Sequence, residues 1–236
     1  MPAGVASYAL LGALATALLA AAVSDLRRRE IGNGLNAGIA VAAPLFWLVS
    51  GLGWSGVAVQ VGLALATFLL GCLLFAARQM GGGDVKLLTA LALWFVPASF
   101  GQLLAIMVMI GGGASVALAV FNMRRVSGDQ WRDRVAVGAA ALWVTATCVI
   151  VYGVATGRPL LDADAASVIW IVVPGGWWLV LGAMLLCGFI LFGMRHIFRR
   201  QAAHIAMPYG VAIAAAGLWV MAQDTLAPAL ASLRQA

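Results

Sequence analysis

The sequence predicts an all-α polytopic membrane protein, a bundle of about eight transmembrane helices. Three observations lead there. The 236 residues are 64% hydrophobic and only 9% charged, with a mean hydropathy of +1.03; a soluble domain carries about 25% charge. Long uncharged runs recur, and about 20 apolar residues cross a bilayer as helix. Arginines gather at the ends of those runs, as topology signals do. Lipid admits only helices or closed barrels, and these runs are too long and too uniformly apolar for alternating barrel strands.

Taken in order, the first segment runs from about Ala3 to Ser24 and ends at Asp25-Leu26-Arg27-Arg28-Arg29-Glu30. Three consecutive arginines mark a cytoplasmic end. No basic stretch precedes this run, so a spanning helix is expected rather than a cleaved signal peptide. Gly32, Asn33, Gly34 and Asn36 form a turn-rich passage into a second segment, about Leu35 to Ser50. Gly51-Leu52-Gly53 turns the chain into a third, about Trp54 to Ala77. After Arg78 comes Gly81-Gly82-Gly83-Asp84-Val85-Lys86, then a short fourth segment, about Val85 to Phe95, stopping near Pro97. It is too short to span without tilt or bilayer thinning.

The fifth segment, about Phe100 to Phe121, contains Gly111-Gly112-Gly113, a close-packing or kink site. Arg124, Arg125, Arg132 and Arg134 mark another cytoplasmic loop, against Asp129 and Asp133. The sixth covers about Val135 to Thr156, and a loop poor in basic residues follows. The seventh covers about Ser167 to Met194, with Pro174-Gly175-Gly176 near its outer end, and leads into Arg195, His196, Arg199 and Arg200. The eighth starts at Pro208-Tyr209-Gly210 and reaches about Ala222. Alternating loop charge puts both termini outside. Trp54, Trp94 and the pair Trp177-Trp178 read as interface anchors.

Several classes of function drop out. The net charge of +6 sits at helix ends, so it reads as topology and contact with anionic lipid, not as nucleic-acid binding. Cys72, Cys148 and Cys187 lie far apart inside apolar runs. They form no metal or redox motif and read as small buried residues. His196 and His204 offer no convincing metal site, and no metal or cofactor is expected. No internal repeat supports an inverted-repeat transporter.

Two carboxylates remain. Asp25 and Asp84 each sit where an apolar run meets the cytoplasmic interface, and ionisable groups there are costly and usually functional. On one side of the membrane they form a candidate acid/base dyad. One carboxylate takes a proton from water while the other, protonated, donates to a scissile carbonyl. Neighbouring carboxylates cannot both ionise easily. Gly81, Gly82 and Gly83 lack Cβ atoms, can take φ > 0, and would let a substrate backbone approach. The competing readings are an N-cap at Asp84 and a surface charge at Asp25.

At these residues the chain resembles the type IV prepilin peptidases. The resemblance rests on Ser24-Asp25 through Asn33, on Gly81-Gly82-Gly83-Asp84-Val85-Lys86-Leu87, and on Met207-Pro208-Tyr209-Gly210-Val211-Ala212-Ile213-Ala214, which looks like the last helix of the short tight-adherence (Flp pilus) branch. It covers roughly residues 1 to 125 and 205 to 223. It implies a membrane aspartyl endopeptidase with Asp25 and Asp84 as the catalytic pair, in a bacterial inner membrane with its active site facing the cytoplasm. Its partners would be prepilin or pseudopilin substrates with an apolar N-terminal helix. Asn33 and Lys86 match motif positions without an assignable catalytic role. Gly32 stands where the family usually has Pro.

The implied layout is a six-helix core, residues 1–125 and 205–236, with an inserted helical hairpin over 126–204. The cysteine-bearing domain of the bifunctional branch is missing, which speaks against N-methylation. Two other classes compete. One is a different GxGD intramembrane protease, disfavoured because Asp25 follows Ser24 beside a basic loop. The other is a transporter or assembly protein whose two Asp bind ions or protons, disfavoured because the other spans hold no deep ionisable residue.

Overall fold

A computed structural model describes residues 4–124, 128–157, 177–202 and 207–235, the side chains of 179 and 227–235 excepted. The described residues form eight helices: α1 (Val5–Arg28), α2 (Asn33–Val49), α3 (Trp54–Ala76), α4 (Gly82–Ala92), α5 (Pro97–Phe121), α6 (Gln130–Thr156), α7 (Trp177–Arg199) and α8 (Tyr209–Gln235). Five of them, α1, α3, α5, α6 and α7, are long and apolar enough to cross a membrane, and α2 is a shorter apolar helix. The protein is a polytopic helical membrane protein. The Pro174-Gly175-Gly176 turn, most of the loop after Gly157, and His204 lie outside the described residues.

The first helix runs one turn further than its hydropathy suggests. Arg27 and Arg28 fill the last turn, where cations suit the negative end of the helix dipole. Arg29 then turns left-handed at φ 58°, and its N–H closes on the Asp25 carbonyl at 2.9 Å. Asp25 therefore sits inside the last turn of α1 rather than in a loop. Ser24 Oγ donates to the Glu30 carbonyl at 2.6 Å and closes the turn that follows.

The chain forms two compact units. The first comprises Met1–Met107 and Pro208–Ala236, the second Val108–Met207. In the first, α1 packs on α8 and α2, and α4 packs on α2, α3 and α8. The short α4 is the centre of this unit. Val85, Leu87, Leu88, Ala90, Leu91 and Ala92 are all buried, six of its eleven residues. A helix apolar nearly all round is an interior helix. At about 1.5 Å per residue it is also far shorter than a bilayer core, so α4 is not a span. Its apolar surface meets protein where that of α3 (Leu65, Leu69, Leu73) is exposed, in the manner of a lipid-facing helix.

Trp94 is not an interface anchor. It is buried, stacks on Phe46, and donates its indole N–H to the Ile39 carbonyl at 2.9 Å. Trp47 returns the bond, donating to the Leu93 carbonyl at 2.8 Å, so α2 and the end of α4 are locked both ways. Trp54, Trp177 and Trp178 are exposed, as anchors would be. Cys72, Cys148 and Cys187 are free and exposed, so they too face outward from their helices rather than filling the core.

In the second unit, Val116, Ala119, Met123, Ala136, Ala140 and Ile197 form the core. Small residues set the helix spacing. A Cβ on Gly193 would meet the Cβ of Ala139 at 2.5 Å, and one on Gly113 would meet Thr147 Oγ1 at 2.8 Å, the close approach that small residues permit between membrane helices. His196 Nε2 and Asp133 Oδ1 lie 2.8 Å apart, and Arg200 pairs with Asp129. Among the described residues no His, Cys, Asp and Glu cluster has metal-binding geometry.

Candidate active site

Asp25 and Asp84 line one cavity of about 360 Å³, together with the Arg29 to Asn33 turn and Gly81, Gly82 and Gly83. Three helices of the first unit position its carboxylates. The end of α1 supplies Asp25, the start of α4 supplies Asp84, and the start of α8 supplies a backbone donor.

Asp84 is not the N-cap of α4. Gly81 holds that position at φ −73°, ψ 145°, and Asp84 stands three residues in. Its carboxylate reaches back to the Gly81 N–H, as the third residue of a capping box does. Burial pushes the Asp84 acidity down, the neighbouring Asp25 charge pushes it further, and the Gly81 bond pulls the other way. The pKa rises from 3.8 to about 6. Desolvation and a like charge act together here, the second of these being the effect that separates two carboxylates sharing a site.

Asp25 is buried and meets a different environment. Its Oδ2 accepts the N–H of Gly210 at 2.7 Å. Tyr209 opens α8, so Gly210 lies in the first turn, where N–H groups have no partner within the helix. The positive end of that helix is aimed at the carboxylate. Only glycine fits. A Cβ at position 210 would lie 2.8 Å from Asp25 Oδ2 and 2.9 Å from Ile31 Cδ1.

The three glycines before Asp84 have uses other than positive φ. Gly82 and Gly83 are already helical, and the glycines with positive φ among the described residues are Gly51, Gly128 and Gly157. Gly83 lets Ile31 come close, since a Cβ there would lie 3.3 Å from the Ile31 Cβ. Gly81 leaves room for the Asp84 carboxylate itself, 2.9 Å from where a Cβ would stand.

Two hydrogen bonds join the turn after α1 to the glycine stretch. Lys86 Nζ donates to Asn33 Oδ1 at 2.7 Å, and Asn36 Nδ2 donates to the Gly83 carbonyl at 3.3 Å. The structure thus brings together every site residue expected from the sequence and adds Gly210, Ile31 and Asn36. A proline followed within two residues by glycine at the start of the last apolar run was the available signal for Gly210. Nothing local pointed to Asn36.

Fold and site define a polytopic membrane protein that gathers two carboxylates at the ends of two helices, the apolar span α1 and the buried α4. Residues 12–121, a stretch that contains Asp25, Asn33, Asp84 and Lys86, match the model of the type IV leader peptidase family. The match indicates a peptidase. No curated protein and no solved structure matches the chain.

Proposed function

We propose that this protein is a membrane-embedded aspartyl endopeptidase that removes the leader of Flp-like type IV prepilins at the cytoplasmic face of a bacterial inner membrane. The observation that carries this reading is the shared cavity, in which the Asp84 acidity is weakened partly by the charge of Asp25. The family match over residues 12–121 supports the substrate class.

The environments divide the roles. Asp84, with its raised pKa, is the general acid. Asp25, held as an acceptor by Gly210 N–H, is the general base. Asp25 takes a proton from water as the water oxygen bonds to the scissile carbonyl carbon, and Asp84 gives its proton to the carbonyl oxygen. The resulting gem-diol collapses. Its C–N bond breaks, the leaving nitrogen takes the proton from Asp25, and Asp84 recovers a proton from the gem-diol. Each step needs the donor within hydrogen-bond reach of its target. The glycines let Ile31 and the Asp84 carboxylate pack closely around the dyad, and the cavity they line is where a peptide backbone would enter. The 126–204 segment is a helical hairpin inserted into this peptidase frame.

Coexpression of a Flp-type prepilin with Asp25→Asn or Asp84→Asn tests the reading. Each variant should insert normally and leave the prepilin uncut. Full processing by either would overturn the dyad.

A further inference from the structure

A second cavity opens on the other side of Asn33. It measures about 340 Å³ and is lined by α2, α3 and α4, mostly through Ala37, Ala40, Phe68, Ala90 and Leu93, with Asn33, Asn36, Lys86 and Thr89 as its polar members. Its character is opposite to that of the dyad cavity. One is lined by Asp25, Arg29, Glu30 and Asp84; the surface of the other is mostly alkyl and aromatic. Asn33 lines both, so polarity changes from charged to apolar across one residue. At the low end of ligand-pocket volumes, about 300–1,000 Å³, the groove holds a few side chains, not a whole helix.

One polar side chain is set into its wall. Asn36 lines the groove, and its Nδ2 is committed to Gly83; its Oδ1 is buried with no partner among the described residues.

The geometry points to this groove as the binding site for the first apolar residues after the scissile bond of the substrate. This rests on the leader-peptidase reading above. A prepilin changes from a polar leader to an apolar segment at the bond that is cut. The enzyme changes in the same order at Asn33. The leader lies against the charged turn after α1, the bond lies over the dyad, and the apolar residues enter between α2 and α4. Groove size then helps decide which side chains follow the cut.

Photo-crosslinking tests the assignment in the Asp84→Asn protein, which holds substrate without cutting it. A benzophenone side chain replacing Ala37 or Ala40 should capture prepilin at residues just C-terminal to the uncut bond. The same probe replacing Leu45, exposed on α2 outside the groove, should not. Capture of leader residues, or of lipid alone, overturns the assignment. Independently, Ala40→Trp should raise KM at least tenfold in a protein that inserts and melts like wild type, with kcat changed less. Leu45→Trp should cut normally. If wild type cuts prepilin and Ala40→Trp does so equally well, the groove assignment fails and the peptidase reading stands. If wild type leaves prepilin uncut, the peptidase reading itself fails.

Discussion

Lys86 Nζ donates to Asn33 Oδ1 at 2.7 Å, across 53 residues of sequence. Lys86 is the only lysine in the chain. It stands two residues after Asp84, and Asn33 stands eight after Asp25, so this bond ties the two carboxylate-bearing motifs together. Both residues matched motif positions with no role to assign, and the clasp supplies one.

Lys86→Met and Asn33→Ala should each slow cleavage roughly three- to tenfold, the scale of an exposed charge-assisted bond worth about 1 kcal/mol. The decisive measurement is the double variant. Two residues that act through one bond give a double loss no larger than either single loss. If the two losses multiply, the clasp does not position the dyad.

The Asp84 pKa of about 6 sets a pH dependence. As general acid, Asp84 must be protonated, so kcat/KM should fall as pH rises through about 6. The same shift bears on stability. A carboxyl whose folded pKa lies above its unfolded value stabilises the fold below the unfolded pKa, and that contribution is lost as pH rises through the folded pKa. Asp84→Asn removes a charge the fold disfavours. In detergent at pH 8 the variant should melt no lower than wild type, and a clearly lower midpoint would contradict the assigned burial.

Gly210→Ala places a methyl group 2.8 Å from Asp25 Oδ2 and 2.9 Å from Ile31 Cδ1. Either the carboxylate moves or α8 does, and the Gly210 N–H bond is lost in both cases. Misplacement of a reacting group on this scale costs about a hundredfold in rate. The loss should appear in kcat, with insertion unaffected. Gly34→Ala is the control, because nothing lies within 4 Å of a Cβ there.

Hydropathy located the helices, because about 20 apolar residues in a row have few alternatives in lipid. What it could not do was separate protein-facing from lipid-facing surface, since both are apolar. That is why α4 read as a truncated span at the membrane edge and is in fact the most buried helix of its unit, and why Trp94 read as an anchor. Asp25 and Asp84 were legible because charge is rare in this chain and each has a local pattern. The Gly210 bond was not. Its donor is a backbone N–H 185 residues from its acceptor, and no local pattern marks such a pair. The glycines were legible as close-approach residues, but the neighbours they admit are Ile31 and the Asp84 carboxylate.

Gly32 offers a last test, because the resemblance expects proline there. Gly32 has φ −61° and ψ 138°, which proline adopts without strain, and nothing lies within 4 Å of a Cβ at this position. It is also the N-cap of α2, so a proline would stiffen the turn that carries Ile31 and Asn33 past the dyad. Gly32→Pro should keep cleavage within about twofold and stabilise the protein by roughly 0.4–1 kcal/mol, because the unfolded chain loses freedom. Thermal melting together with a cleavage assay checks both. Loss of cleavage in a variant of unchanged melting temperature would mean that this turn must bend during the reaction, and that its conformation in the structure is only one of those it uses.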